Sequence, residues 1–171
     1  MPNPTHILIN SYTVGSGSTS SVTFSSIPST YTDLVIKASA RTNYSDTKDN
    51  LAISINSSSS SFSGITLYGY GSGVGSFSTG GNTDVSTFDG ASSTASTFSN
   101  GDIYIPNYTS SNYKSWLANS VEENNATIAY SYLNAGLWSN TAAITSITFA
   151  SANSASFVQY STFYLYGIKN S

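Results

Sequence analysis

Side chains that could act as acids, bases or nucleophiles are few in this 171-residue chain. It contains one histidine, His6, and no cysteine, which excludes thiolate catalysis, cysteine-bound zinc and multi-histidine metal sites. A serine nucleophile needs a neighbouring base, and His6 lies at the edge of a predicted strand. No Gly-x-Ser-x-Gly elbow between a strand and a helix accompanies the abundant serines. We therefore expect no nucleophilic catalysis.

Three pairs of acidic residues have a spacing that could serve acid–base chemistry or calcium binding. They are Asp46 with Asp49, Asp84 with Asp89, and Glu122 with Glu123. The first pair lies among basic residues and is typical of a solvated loop, and the two adjacent glutamates should point in opposite directions. Asp84 and Asp89 could hold calcium, although no D-x-D-x-D-G loop is present. The sequence predicts no catalytic residues, no cofactor and no metal ligands, with a calcium-assisted carbohydrate-binding module as one alternative.

The charge balance argues against two classes of partner. Charged residues make up 8% of the chain, the net charge is −3, and lysine and arginine together number five. A nucleic-acid-binding domain normally carries a basic patch, so we expect no nucleic-acid partner. No apolar run approaches the roughly 18 residues of a membrane span, and no signal peptide is recognisable, so we expect no membrane partner.

Alternation of apolar and polar residues dominates the chain and predicts β-strands. In residues 34–41 the even positions are apolar, and in residues 157–166 two aromatic-rich faces alternate. Trp116 and Ala118 alternate with Ser115, Leu117 and Asn119, which predicts a strand covered on both faces. Serine and threonine form about a third of the chain, yet aromatic residues reach 13%, which favours a folded sheet over disorder. No window favours a helical period. We expect residues 1–171 to form a single all-β domain, an antiparallel two-sheet sandwich of jelly-roll type with about 8–10 strands and little or no helix.

Glycine and proline mark the predicted turns. Asn100-Gly101 is the strongest short-range hairpin signal in the chain, and Pro106 should end the strand that follows it. Residues Gly69 to Gly81 hold six of the 13 glycines. They predict a long ordered loop or an irregular hairpin without the Gly-Lys-Ser/Thr of a phosphate-binding loop, and loops of this kind often contact other molecules.

Exposed aromatic side chains are the remaining candidates for binding. Tyrosine and tryptophan stack on sugar rings and anchor protein interfaces. Tyr68, Tyr70 and Trp138 lie near predicted strand ends, so we expect them to be loop contact residues for a partner such as a glycan. The alternative is that such aromatics pack within the core or across a sheet face.

Several stretches together resemble a known group of proteins. They are THILIN at 5–10, the block from FSSIP at 24–28 to RTN at 41–43, FSNGDIYIPNY at 98–108, ENNA at 123–126, GLWSNTAAITSI at 136–147 and LYGIKN at 165–170. This set is similar to the small β-sandwich structural proteins in the virions of tailed bacteriophages. The likeness covers nearly the whole chain, with the glycine-rich segment least typical, and its motifs are strand and turn signatures.

The resemblance implies a non-enzymatic protein located in the virion after synthesis in the host cytoplasm. It implies a capsid decoration or cement protein that stabilises the shell through contacts with the major capsid protein. The alternative is a tail fibre or receptor-binding domain that recognises a host surface glycan. Sheet edges with few charges associate unless they are covered, so we also expect a homo-oligomer or contacts with other virion proteins.

Overall fold

A computed structural model describes residues 5–80, 83–124 and 129–169. These residues form fourteen β-strands and no helix. The described part of the chain therefore contains no helix that could span a membrane. The strands are β1 (His6–Thr13), β2 (Ser18–Thr19), β3 (Ser21–Phe24), β4 (Asp33–Ala40), β5 (Lys48–Ile55), β6 (Phe62–Tyr70), β7 (Gly73–Gly80), β8 (Asp84–Asp89), β9 (Ser99–Ile105), β10 (Lys114–Glu122), β11 (Tyr130–Trp138), β12 (Ile147–Ser151), β13 (Phe157–Val158) and β14 (Thr162–Ile168).

Two antiparallel sheets of unequal width form the sandwich. The large sheet has eight strands in the order β1-β14-β4-β9-β10-β11-β6-β7, and the small sheet has four in the order β3-β12-β5-β8. A third, two-stranded sheet pairs β13 with β2. This arrangement confirms the predicted all-β sandwich. It has more strands than the predicted 8–10, because β2 and β13 are only two residues long and β7 lies in the glycine-rich segment.

The hydrophobic core lies between the sheets, where alternate side chains of each strand meet. In β14 the inward residues Phe163 and Leu165 are fully buried, and Phe163 stacks on Phe149 of the small sheet with ring centroids 5.7 Å apart. The strand β10 shows the same period, with every second residue from Lys114 to Glu122 buried. Burial of one face explains why the period-2 pattern locates these strands.

The Asn100-Gly101 pair is not a turn, so that prediction is wrong. Both residues lie inside β9, which continues to Ile105 and ends immediately before Pro106, as the proline predicts. Gly101 faces the small sheet, and a Cβ there would lie 3.1 Å from the Ser86 hydroxyl oxygen. The glycine therefore serves the close approach of the two sheets rather than a change of chain direction.

The glycine-rich segment is a regular hairpin rather than a loop. The strands β6 and β7 pair over eight consecutive positions, from Ser63 opposite Gly80 to Tyr70 opposite Gly73. Gly71, at the turn, has a φ of 50°, in the left-handed region that glycine adopts readily. Gly81 lies outside the described residues. This hairpin is the outer edge of the large sheet and extends it beyond the small one.

Candidate functional site

Four tyrosine rings lie side by side on the inner face of the large sheet, near the β6–β7 turn. Tyr68 and Tyr70 of β6 are directly opposite Tyr132 and Tyr130 of β11. Neighbouring ring centroids are 5.6 Å apart for Tyr68–Tyr70 and Tyr68–Tyr132, and 5.9 Å apart for Tyr70–Tyr130. The rings form a two-by-two grid, because residues of equal parity on paired strands share one face.

This grid is open because the small sheet ends before it. The last strand of the small sheet, β8, packs against β10 and β11, while β6 and β7 lie beyond it at the edge of the large sheet. The exposure of the rings grades outward, from 8% at Tyr132 to 40% at Tyr70. The result is a cleft of about 320 Å³ lined by seven residues, which we call the tyrosine cleft. Its lining residues are Lys48, Asn50, Tyr68, Tyr70, Phe77, Tyr130 and Tyr132.

Glycines on β7 make room for two of these rings. A Cβ on Gly75 would lie 2.6 Å from the Cζ of Tyr68, and a Cβ on Gly73 would lie 3.0 Å from the Cζ of Tyr70. Each tyrosine ring therefore covers the glycine directly opposite it on the edge strand. This packing explains Gly73 and Gly75 and holds the tyrosine rings in place.

One wall of the tyrosine cleft is polar. The Lys48 ammonium lies 5.5 Å from the Tyr130 ring centroid and 5.7 Å from that of Tyr132, within cation–π range. Its Nζ donates a hydrogen bond to Asn50 Oδ1 at 3.1 Å, and Asn50 Nδ2 donates to Asp84 Oδ2 at 3.2 Å. These three side chains place donors and acceptors beside an apolar platform.

A buried carboxyl group lies near the cleft. Glu122, at the end of β10, is fully buried, and its Oε1 accepts a hydrogen bond from Asn124 Nδ2 at 2.7 Å. Desolvation, followed by the charge of Asp89, raises the pKa of Glu122 to about 8. Desolvation also raises the pKa of Asp89, and it is the main cause that raises the pKa of Tyr132 to about 12. Tyr132 therefore remains a neutral phenol across the physiological range of pH.

The structure separates the remaining acidic candidates. Asp84 and Asp89 are the two ends of β8, so their Cα atoms are roughly 16 Å apart, too far to share a calcium ion. Asp46 is exposed, whereas Asp49 is buried and accepts a hydrogen bond from Asn153 Nδ2 at 2.9 Å. Within residues 5–80, 83–124 and 129–169, no three histidine or acidic residues are grouped to hold a metal ion.

The other predicted residues do not line the tyrosine cleft. His6 is exposed at the start of β1, the opposite edge strand of the large sheet. Glu123 is exposed, while its neighbour Glu122 points inward. Trp138 is 1% exposed and stacks on Phe62 with centroids 6.4 Å apart, so its ring belongs to the core and offers no face to a ligand. Of the three expected loop contact residues, the structure brings together Tyr68 and Tyr70, which lie in strand β6 rather than in a loop.

A second surface covers the outer side of the large sheet. Tyr104, Leu117, Ala135 and Ile65 are successive cross-strand partners over β9, β10, β11 and β6, and Leu133 faces Leu67 in the adjacent row. The side chains of Ile65, Leu67, Leu117 and Leu133 are 46–54% exposed. We call the six residues Ile65, Leu67, Tyr104, Leu117, Leu133 and Ala135 the outer apolar face.

Sequence reasoning missed five lining residues of the tyrosine cleft: Lys48, Asn50, Phe77, Tyr130 and Tyr132. The shared parity of Tyr130 and Tyr132 predicts one strand face, but their position opposite Tyr68 and Tyr70 depends on pairing between strands about 60 residues apart in sequence. No local sequence pattern indicates how the residues of β6 and β11 are paired.

Comparison with known proteins gave no relative from which to assign a function: no protein-family model matches the chain, and no curated protein or solved structure is significantly similar to it. The assignment therefore depends on the two surfaces.

Proposed function

We propose that this chain is a non-catalytic structural protein of a tailed-phage virion, which decorates the outer capsid and stabilises it by contacts with neighbouring subunits. The observation that carries the proposal is the outer apolar face. A contiguous exposed apolar surface of this kind marks an interaction site in a protein. The resemblance of the sequence to virion structural proteins supplies the class of partner.

The chemistry of the outer apolar face suits burial against protein. The outward residues of β10 within Lys114–Glu122 are Ser115, Leu117, Asn119 and Val121, and none is charged. Depletion of charge at the centre of a patch is typical of protein interfaces. The sequence predicts that the strand around Trp116 is covered on both faces, whereas in the structure its outward residues Leu117 and Val121 are 47% and 46% exposed. A neighbouring subunit would provide the second cover.

The proposal is tested by counting copies per purified phage particle with quantitative mass spectrometry against the major capsid protein. Hundreds of copies support decoration of the shell, and shells that carry the protein should melt at a higher temperature than shells without it. A few to a few dozen copies would move the protein to the tail and overturn the decoration role. Finding no copies would overturn the virion assignment.

Charging the outer apolar face should prevent incorporation. In the double variant Leu117→Lys and Leu133→Lys, two ammonium groups would have to be desolvated on docking, so we expect at least a tenfold loss of copies per particle. Both side chains are about half exposed, and the isolated protein should unfold at nearly the wild-type temperature. Tyr113→Lys, at a 58% exposed tyrosine outside this face, is the matched control. Incorporation of the double variant at the control level would exclude this face as the interface.

A further inference from the structure

We infer that the tyrosine cleft is a carbohydrate-binding site that takes a neutral oligosaccharide. This activity is separate from the proposed decoration role, because the cleft lies on the inner face of the large sheet and the outer apolar face lies on the other side. A protein attached to a particle by the outer face would leave the tyrosines accessible.

The aromatic grid matches the shape of a sugar ring. A pyranose has an apolar face of axial C–H groups that stacks on an aromatic ring, and its hydroxyls project around the rim. Tyr68 and Tyr70 follow one another along β6 with centroids 5.6 Å apart, about the length of one sugar residue. The cleft volume of about 320 Å³ is at the lower end of small-molecule sites, which suits a short segment or the end of a chain.

The polar wall supplies what the rim hydroxyls need. Lys48 Nζ has three N–H donors, and Asn50 offers both a donor and an acceptor in the same hydrogen-bonded row. A sugar hydroxyl can donate and accept at once, so it can join such a row without leaving a polar atom unpaired. This combination of apolar platform and few convergent polar groups is typical of small-ligand sites.

The charge around the tyrosine cleft favours a neutral sugar over a polyanion, although both can stack on aromatic rings. Binding of a single-stranded nucleic acid combines aromatic stacking with a positively charged groove. Here Lys48 is the one cation among the lining residues, and the Asp84 carboxylate lies in the same hydrogen-bonded row through Asn50. The chain as a whole carries a net charge of −3. An anionic polymer would therefore meet repulsion that a neutral glycan does not.

The grid of tyrosine rings is also held in place before a ligand binds. Tyr68 and Tyr70 are packed over Gly75 and Gly73, and Phe77 contacts the grid with its ring centroid 5.8 Å from that of Tyr68. Rings that are already held in place lose little conformational entropy on binding, which favours affinity.

The experiment is an array of neutral, uronic-acid and sialylated oligosaccharides probed with the full chain. Hits are then titrated by calorimetry, and a ten-residue oligothymidylate is titrated as the polyanion. We expect binding to one class of neutral oligosaccharide and at least a tenfold loss of affinity in Tyr70→Ala. Tyr70 is the most exposed of the four tyrosines, so this variant should fold normally. The control Tyr113→Ala changes a tyrosine next to the opposite end of β10, roughly 27 Å from Glu122, and should bind like the wild type.

Three results would overturn the inference. They are binding confined to acidic glycans or oligothymidylate, neutral-sugar binding that Tyr70→Ala leaves unchanged, and no binding to any member of the array by folded protein. The Leu117→Lys and Leu133→Lys variant separates this inference from the proposed function. This variant should lose incorporation into particles and keep sugar binding. The copy number therefore tests the decoration role, and calorimetry tests sugar binding independently.

Discussion

Replacing Trp138 with alanine is expected to lower the free energy of unfolding by about 3–5 kcal/mol. The Trp138 side chain lies at the end of β11 and is 1% exposed. Its ring stacks on Phe62, and the ring centroid of Phe62 is 5.8 Å from that of Trp116. Truncation removes one of the two tryptophan side chains of this end of the core and leaves a cavity that the surrounding strands cannot fill. Urea denaturation followed by circular dichroism measures the loss.

Two further variants make the Trp138 result interpretable. Trp138→Phe keeps most of the ring contact with Phe62 and should cost clearly less than the alanine variant. Tyr113→Ala removes an aromatic ring that is 58% exposed and should change the free energy of unfolding by no more than about 0.5 kcal/mol. If Trp138→Ala were as harmless as Tyr113→Ala, the tryptophan would lie at the surface and would not be part of the core.

Thermal stability should fall as the pH rises from about 5 to 9, and Glu122 should be the main cause. Burial raises the pKa of this carboxyl from 4.5 to about 8, so the folded protein holds the proton more tightly than the unfolded chain. Between these two values the folded state binds more protons, and stability therefore decreases with increasing pH. The contribution of the neutral carboxyl is complete below pH 4.5 and is lost as the pH passes through 8. The expected effect is a few kcal/mol, or on the order of 10 °C in Tm for a domain of this size.

Glu122→Gln isolates this effect. The amide has the shape of the protonated carboxyl, keeps an acceptor oxygen for Asn124 and does not ionise, so its Tm should vary much less between pH 5 and 9. Differential scanning calorimetry across that range measures both profiles. Glu123→Gln changes the neighbouring exposed carboxyl and should reproduce the wild-type profile. A Glu122→Gln profile that falls as steeply as the wild type would assign the pH dependence to another group.

The all-β fold was predictable because one face of most strands is buried. Phe163 and Leu165 share a parity, and the structure buries both while Tyr164 and Tyr166 face the other way. The end of β9 before Pro106 was also predictable, because proline lacks the N–H that a ladder requires. These signals are local, and the physical cause of each acts within a few residues.

The errors arise where distant segments decide the outcome. Asn100-Gly101 has the composition of a tight turn, but it lies inside β9, where a Cβ on Gly101 would come within 3.1 Å of the Ser86 hydroxyl oxygen of the small sheet. The glycine-rich composition of β7 predicts a loop or an irregular hairpin, whereas in the structure the rings of Tyr68 and Tyr70 cover Gly75 and Gly73 in a regular hairpin. Both cases are tertiary contacts that override a local preference.

The candidate site also combines residues that local sequence could indicate with residues that only the pairing of distant strands brings together. Tyr68 and Tyr70 could be selected as aromatic residues beside a glycine-rich segment. Tyr130 and Tyr132 could not be joined to them, because the pairing of β6 with β11 is absent from either segment alone. Trp138 has the same parity as Tyr132 along β11, and that parity places it in the core rather than at a loop.

The position of the first and last strands determines how this domain can be tethered. The strands β1 and β14 are neighbours at one edge of the large sheet, with His6 directly opposite Ile168, whereas the tyrosine cleft lies near the other edge. Six strand spacings separate β1 from β6, a distance of roughly 30 Å. A fluorophore, a bead or a tandem copy joined at either position would therefore stay clear of the tyrosines. Head-to-tail fusions would present several clefts at once, and the avidity of such a chain for a repeating glycan could exceed that of one domain by about 10²–10⁴.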